Sequence, residues 1–185
     1  MVGGEVTTVG EFPFSVLIGK NEKKFVGRLP GGKKIYKDKE VWKCSGVLLN
    51  NQFVLTAGHC KTDDDIFKLR VGVHKLSKQL LGADSTNSEN LPEFQNFDVK
   101  PENFVIHEDF IPGVHPKNDI ALVKLPRPVT FNQLAQPACW RNQSSINIDD
   151  KLVVVGWGKI NSFSISLTEN GVYSDNQYKL EVKET

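Results

Sequence analysis

The sequence predicts an all-β fold of antiparallel strands with little helix. Short apolar runs recur along the 185 residues and are separated by turn residues, which is the pattern of β-sandwiches and β-barrels. Sustained apolar stripes with a helical period are not evident. The 39% of apolar and 24% of charged residues exclude a disordered or collagen-like chain, and this length allows a real core.

The predicted strands can be placed in chain order. They cover residues 14–18, 41–49, 53–55, 67–71, 99–106, 120–125, 152–155 and 178–182. The Asn-Asn-Gln segment at 50–52 predicts a tight turn between the second and third of these strands. We expect one short helical turn after Thr56 and a long surface loop over the polar residues 77–96.

Positive charge is concentrated in residues 20–43. Nine basic and three acidic residues give this segment a net charge of +6, whereas the whole chain carries +1. The near-neutral total argues against a general nucleic-acid binder. The segment itself could attract an acidic partner, but the turn residues Pro-Gly-Gly at 30–32 favour the simpler interpretation of a solvated hairpin loop.

The chain has three cysteines, Cys44, Cys60 and Cys139, and no Cys-x-x-Cys pair that would indicate zinc or redox chemistry. Cys44 and Cys60 flank the two strands joined by the turn at 50–52. A bridge between them is compatible with that hairpin and would stabilise the fold by about 3 kcal/mol in an oxidising compartment. Cys139 would then pair outside the chain or stay a thiol.

Targeting and membrane signals are absent from the printed residues. No run approaches the ~20 apolar residues that a membrane-spanning helix needs. The first residues show no charged segment followed by an apolar one, so we expect that any secretion signal was removed or lies outside this sequence.

A histidine and an aspartate each lie next to an apolar strand. His59 ends the segment Leu-Thr-Ala-Gly-His at 55–59, and Asp119 precedes the strand at 120–125. Imidazole is the usual general base at neutral pH, and a carboxylate that accepts its Nδ1 proton fixes the tautomer. On spacing alone, however, a structural histidine and a turn aspartate are the better interpretation.

Motifs along nearly the whole chain resemble the chymotrypsin-like (trypsin-like) serine peptidase family. They are Val-Gly-Gly at 2–4, Pro-Phe at 13–14, Cys-Ser-Gly-Val-Leu at 44–48, Leu-Thr-Ala-Gly-His-Cys at 55–60, Asn-Asp-Ile-Ala-Leu at 118–122, Arg-Pro-Val at 127–129, Gln-Pro-Ala-Cys at 136–139 and Val-Gly-Trp-Gly at 155–158. The resemblance implies a secreted endopeptidase without a cofactor, which cleaves proteins or peptides with a Ser-His-Asp triad. It also implies His59 as general base, Asp119 as its orienting carboxylate, and a disulfide between Cys44 and Cys60.

The resemblance further implies two antiparallel β-barrels with the catalytic groups in the cleft between them. On this basis we expect a complete first barrel over residues 1–130, a connection over 131–150 and only the opening strands of the second barrel over 151–185. Cys139 matches a position that bridges to a propeptide or light chain in a zymogen. Together with Cys139 and the basic segment 20–43, the sequence of residues 99–125 resembles that of the arthropod clip-domain proteases of extracellular cascades.

The nucleophile is the main departure from the family. The Gly-Asp-Ser-Gly-Gly segment that carries it is absent from these residues, and the oxyanion hole and specificity pocket are absent with it. The serines at 162, 164, 166 and 174 lack that context, so we reject them as nucleophiles. We therefore expect a fragment that is inactive alone. The alternatives are a non-catalytic homologue that binds extracellular proteins, and a stand-alone half-barrel binder.

The other candidate sites are weaker. Asn142 begins the one Asn-x-Ser acceptor for glycosylation. His74 and His107 are interpreted as solvated residues near strand ends, because no partner at zinc-ligand spacing accompanies them. The loop after Val71 offers no carboxylate for calcium. We therefore expect no metal site.

Overall fold

The computed structural model describes residues 4–62, 66–75, 94–139, 152–158 and 177–182. Ten β-strands and two short 3-10 helices lie in these ranges, and the described residues contain no α-helix. The strands are β1 (Glu5–Val6), β2 (Ser15–Arg28), β3 (Lys34–Leu48), β4 (Phe53–Thr56), β5 (Phe67–Val71), β6 (Gln95–Val99), β7 (Phe104–Ile106), β8 (Ala121–Lys124), β9 (Leu152–Gly156) and β10 (Tyr178–Val182). The all-β prediction is confirmed.

The strands form two antiparallel sheets. A seven-stranded sheet has the order β6-β5-β2-β3-β4-β8-β7, and a three-stranded sheet has the order β1-β10-β9. The larger sheet curls, because Phe67 on β5 and Phe104 on β7 lie far apart in the strand order but place their rings 4.7 Å apart. Its concave face therefore encloses the main core.

Alternating burial explains why these segments form strands around one core. On β6, Phe97 and Val99 are buried whereas Asn96 and Asp98 are exposed, as expected when successive side chains point to opposite faces. The main core gathers such inward residues from seven strands and the segment that follows β8: Val16, Ile18, Leu48, Val54, Phe67, Leu69, Val71, Phe97, Val99, Phe104, Val123, Leu125, Val129 and Ala135.

The segment 20–43 is a hairpin, but it is not the loop that the sequence predicted. β2 and β3 stay paired from Lys20↔Val41 out to Arg28↔Lys34. The pair Phe25↔Tyr36 lies near the far end, with ring centroids 5.9 Å apart, and cross-strand aromatic pairs stabilise a ribbon. Only the tip is a turn, where Gly31 and Gly32 adopt positive φ values of 94° and 85°.

Two other predictions need correction. The apolar run 99–106 is not one strand, because the 3-10 helix Pro101–Asn103 separates β6 from β7, and proline cannot donate to a strand ladder. His74 is not a solvated residue, since it is half-buried and its Nε2 lies 2.8 Å from the carbonyl oxygen of Thr7. The predicted loop 77–96 falls mostly outside the described residues, and its last two positions begin β6.

The three-stranded sheet contains a strand that the apolar pattern did not predict. β1 pairs with β10 through Glu5↔Lys179 and Val6↔Tyr178. In β9 the apolar residues 152–154 are each 39–48% exposed, so the described residues leave this strand partly uncovered. No helix in the described ranges is long and apolar enough to cross a membrane.

Candidate active site

Strand pairing brings His59 and Asp119 together although they are 60 residues apart in the chain. β4 and β8 are antiparallel neighbours, and Thr56 at the end of β4 lies opposite Ala121 at the start of β8. The residues just after β4 and just before β8 therefore meet at one end of this strand pair. His59 and Asp119 occupy those two segments.

A short helix and a disulfide hold the histidine segment. His59 is the middle residue of the 3-10 helix Gly58–Cys60, which starts two residues after β4. The sulfur of Cys60 is bonded to that of Cys44 on β3, and the Thr56 hydroxyl donates to the Ser45 carbonyl oxygen at 2.9 Å. The backbone that carries the imidazole is therefore tied twice to β3.

A left-handed asparagine turns the chain so that the carboxylate faces this helix. Asn118 has a φ of 53° and is the one described residue other than glycine with a positive φ. Asparagine tolerates this conformation better than most residues. Its amide group donates to the Asp109 carbonyl oxygen at 3.0 Å, and the N–H of Ile120 donates to its carbonyl oxygen at 2.8 Å. These bonds fix the direction in which Asp119 leaves the backbone.

The two side chains form a bidentate contact. Asp119 Oδ2 lies 2.6 Å from His59 Nδ1, and Oδ1 accepts the backbone N–H of His59 at 2.8 Å. The imidazole is 61% exposed, whereas the carboxylate is 19% exposed. Because Nδ1 is held by the acid, Nε2 is the ring nitrogen left to exchange a proton with another group.

Hydrogen bonding favours the ionised form of Asp119. The bond from the His59 ring lowers the pKa of this carboxyl the most, and the backbone N–H groups of His59 and Gly58 lower it further against the opposing effect of burial. The acid therefore stays charged at neutral pH, as it must to stabilise a protonated imidazole.

Gly58 packs tightly beneath this contact. A β-carbon at this position would lie 3.2 Å from Asp119 Oδ1, 3.2 Å from a methyl carbon of Ile106 and 3.3 Å from the ring of Phe110. Any larger residue must push back one of these groups. The glycine thus leaves the carboxylate room beside the helix, a role that the sequence alone does not reveal.

A metal site is not supported where the cysteines and the histidine cluster. Ligand atoms of Cys44, His59 and Cys60 lie within 4.8 Å of one another, but the two sulfurs are bonded to each other. Metal ions bind thiolates rather than disulfide sulfurs. The Nδ1 of His59 is also engaged by Asp119.

The remaining predicted residues lie elsewhere. Cys139 is exposed and carries no disulfide. His107 is exposed, and its Nδ1 accepts the N–H of Asp109 at 3.1 Å. Asn142 and the rejected serines, at 162, 164, 166 and 174, fall outside the described residues.

Sequence reasoning missed the groups that orient the pair, namely Thr56, Gly58 and Asn118. A signal was present for Asn118, since Asn-Asp before an apolar strand is turn chemistry. The contacts of Thr56 and Gly58 depend on β3 and on the segment around Phe110, so local sequence does not reveal them.

Comparisons with known proteins agree on one family. The trypsin family model matches residues 1–182. Spaetzle-processing enzyme from Drosophila melanogaster is 31% identical over 91% of this chain and 40% of its own length. Phenoloxidase-activating factor 1 from Holotrichia diomphalia is 30% identical over 98% of this chain and 46% of its own length. CLIP domain-containing serine proteases of Anopheles gambiae are among the further matches.

A solved structure shares the fold. Neuropsin, a serine protease expressed in the limbic system of mouse brain, superposes with a TM-score of 0.66 at 19% identity, over 99% of this chain and 64% of its own. The predicted all-β, chymotrypsin-like fold class is therefore confirmed, and the bounds predicted for the two barrels stay a prediction. The chain spans less than half the length of Spaetzle-processing enzyme and of phenoloxidase-activating factor 1.

Proposed function

The chain belongs to the trypsin family, and on that premise we propose that it supplies the general base and the orienting acid of a serine endopeptidase. The observation that supports this most is the contact of His59 Nδ1 with Asp119 Oδ2 at 2.6 Å. The imidazole is also 61% exposed, so it is not a core residue. The ring is thus both oriented and accessible, as a general base must be.

In the proposed reaction, His59 moves a proton in two steps. Nε2 takes the proton of a serine hydroxyl while the serine oxygen forms a bond to the scissile carbonyl carbon. Asp119 stabilises the imidazolium that results and keeps the remaining proton on Nδ1. The imidazolium then gives its Nε2 proton to the leaving amine as the peptide bond breaks.

We propose that the nucleophilic serine is not among these 185 residues. None of their serines lies in a Gly-Asp-Ser-Gly segment, and catalysis also needs the N–H groups of the oxyanion hole that surround such a serine. These residues alone should therefore not hydrolyse peptide bonds. The domain proposal follows the same lines: a first barrel over 1–130, a connection over 131–150 and the opening strands of a second barrel over 151–185.

The proposed substrates are extracellular proteins or peptides. A secreted location is supported by the disulfide between Cys44 and Cys60, because disulfides persist in oxidising compartments. We further propose that the exposed Cys139 forms a disulfide with a propeptide or light chain of a zymogen. Non-reducing electrophoresis of the secreted protein tests this, since Cys139→Ser should release a second chain.

The experiment that tests the function is sequencing of the transcript beyond the codon for Thr185. We expect an in-frame Gly-Asp-Ser-Gly segment. In parallel, the 185 residues alone should not react with a fluorophosphonate probe. Labelling that His59→Ala abolishes would contradict the proposed absence of the nucleophile.

A non-catalytic homologue that binds proteins is the second candidate. The observation in its favour is the concentration of nine basic residues in 20–43, a segment that could attract an acidic partner. A glycine at the serine position in the extended transcript would establish this candidate and refute the endopeptidase. Retention of an oriented histidine and acid favours the endopeptidase.

A further inference from the structure

The hairpin of β2 and β3 projects beyond the sheet that it belongs to. β5 pairs with β2 only as far as Gly19, and β4 pairs with β3 only at Val47 and Leu48. From Lys20↔Val41 outward, the described pairings of these two strands are with each other. We call residues 20–43 the basic ribbon. An isolated two-stranded ribbon is only marginally stable in water. A projecting ribbon of this length therefore indicates a function other than packing.

Positive charge at the outer part of the basic ribbon is not balanced by its own acids. Residues 23–39 contain seven basic residues and one acidic residue, Asp38. Lys24 and Lys37 lie directly opposite each other, an arrangement that destabilises a strand pair. The other two acids of the ribbon are engaged at its base, where Glu22 binds Lys43 at 2.7 Å and Glu40 binds another strand. A ligand with negative charge would relieve this repulsion.

Apolar side chains are exposed on the same ribbon. Phe25, Val26, Leu29 and Tyr36 are each 47–49% exposed. Phe25 and Tyr36 contact each other across the two strands, with ring centroids 5.9 Å apart, and contiguous exposed apolar groups indicate a binding surface more often than single ones do. Lys24 and Lys37 lie on the face opposite Phe25 and Tyr36, because successive residues of a strand point to opposite faces. An extended polypeptide whose acidic and apolar side chains alternate complements both faces when it lies along an edge of the ribbon, whereas a sulfated polysaccharide or a nucleic acid complements the charge alone.

The base of the basic ribbon is held rigidly. Arg70 on β5 is 4% exposed and donates to Glu40 at 3.0 Å. Its guanidinium carbon lies 4.6 Å from the ring centroid of Trp42 and 4.4 Å from that of Phe94. Fixing the base reduces the entropy that the ribbon loses when it binds a partner.

The ribbon is also connected to the histidine. Cys44 directly follows the ribbon on β3, and its disulfide partner Cys60 directly follows His59. A partner seated on the ribbon would be attached to the same strand that anchors the imidazole.

We propose that the basic ribbon is a docking surface for an acidic, partly apolar segment of a polypeptide partner. This proposal does not depend on hydrolysis, because it uses neither His59 nor a serine. It applies to a substrate or a regulatory protein of a peptidase, and equally to a partner of a non-catalytic homologue.

The test is binding of a short dye-labelled peptide, in which glutamate alternates with leucine and phenylalanine, measured by fluorescence anisotropy. The ribbon variant is Lys24→Gln/Lys37→Gln. Its matched control is Lys100→Gln/Lys124→Gln, which removes the same charge from two exposed lysines outside the ribbon. Removing the opposed lysines also removes a repulsion, so the ribbon variant should melt no lower than the unmodified protein.

We expect the ribbon variant to bind the peptide about three- to tenfold more weakly at low ionic strength, and added salt to weaken binding further. The control variant should bind as the unmodified protein does. Equal losses in both variants, or no binding by the unmodified protein, would overturn the proposal. So would equal binding of a peptide with glutamine in place of glutamate, or tighter binding of a heparin oligosaccharide.

Discussion

At the scale of single residues, the direction in which the Asp119 carboxylate is held determines the orientation of the imidazole. Asp119 accepts the backbone N–H of His59 with one oxygen and contacts the imidazole Nδ1 with the other. The backbone of His59 therefore orients the carboxylate, and the carboxylate orients the ring. Asn118 contributes through its left-handed conformation. The motif predicted the two partners. The Asn-Asp pair indicated a turn, but the direction in which that turn points the carboxylate depends on the bonds of Asn118 to Asp109 and Ile120.

The lowered pKa of Asp119 leads to a prediction on acid stability. A carboxyl with a folded-state pKa below its usual value of about 3.9 stabilises the fold above that pH. This stabilisation is lost as the pH falls through the folded-state value. The unmodified protein should therefore lose more stability between neutral pH and pH 3 than Asp119→Asn does, as measured by urea unfolding.

The control for that experiment is Asp98→Asn, whose carboxylate is 65% exposed beside Lys68. We expect Asp98→Asn to lose free energy of unfolding with falling pH as the unmodified protein does, because it leaves the contact of Asp119 with His59 intact. The same pH dependence in Asp119→Asn as in the unmodified protein would show that the contact with His59 does not hold the carboxylate ionised.

At the scale of elements, the disulfide joins β3 to the helix that carries His59. It links residues separated by 16 positions, and closing a loop of this size removes about 3 kcal/mol of unfolded-state entropy. Cys44→Ala/Cys60→Ala should lower the free energy of unfolding by about that amount, measured in urea. Cys139→Ser, which alters an exposed thiol, should change it little. Equal effects would contradict the structural role of the bridge.

The contacts of Arg70 with Glu40 and Trp42 at the base of the basic ribbon can be tested in the same way. Arg70→Ala leaves a void between Trp42 and Phe94 and leaves Glu40 without its partner, so we expect a loss of about 2–4 kcal/mol in the free energy of unfolding. Arg70→Met keeps much of the packing and should cost less.

The matched control lies two residues away on the same strand. Lys68 pairs with the exposed Asp98 at 3.1 Å, and such surface pairs contribute about 0–1 kcal/mol. Lys68→Ala should therefore cost clearly less than Arg70→Ala in the same urea titration. If the two variants have the same free energy of unfolding, the buried contacts of Arg70 do not stabilise the base of the ribbon.

At the scale of the whole molecule, the sequence predicted what is local and missed what is distant. Short apolar runs located strands such as β5 and β8 to within about one residue at each end, because one face of each packs on the core. β6 was not located, since its first two residues fall in the predicted loop 77–96. The docking of β1 on β10 was not predicted, since Thr7 and Gln177 bond to each other across 170 positions. The length of the basic ribbon was missed because its charged residues show no apolar period.

The second core illustrates the same limit. Leu17, Val73 and Trp157 are buried together, with Trp42 and Phe94 packed against them. Trp157 follows β9 and donates from its indole N–H to the carbonyl oxygen of His74 at 3.3 Å. This contact ties the smaller sheet to the larger one at His74, a result that no short sequence window contains.

Cleavage of a fluorogenic peptide library by the product of the extended transcript tests whether His59 is the general base. The comparison is between the unmodified protein, His59→Ala and His107→Ala, an exposed histidine outside the pair. We predict that His59→Ala lowers kcat by about 10⁴-fold or more, whereas His107→Ala changes it little. Cleavage that survives His59→Ala at the rate of the unmodified protein would contradict the assignment of this imidazole as the base.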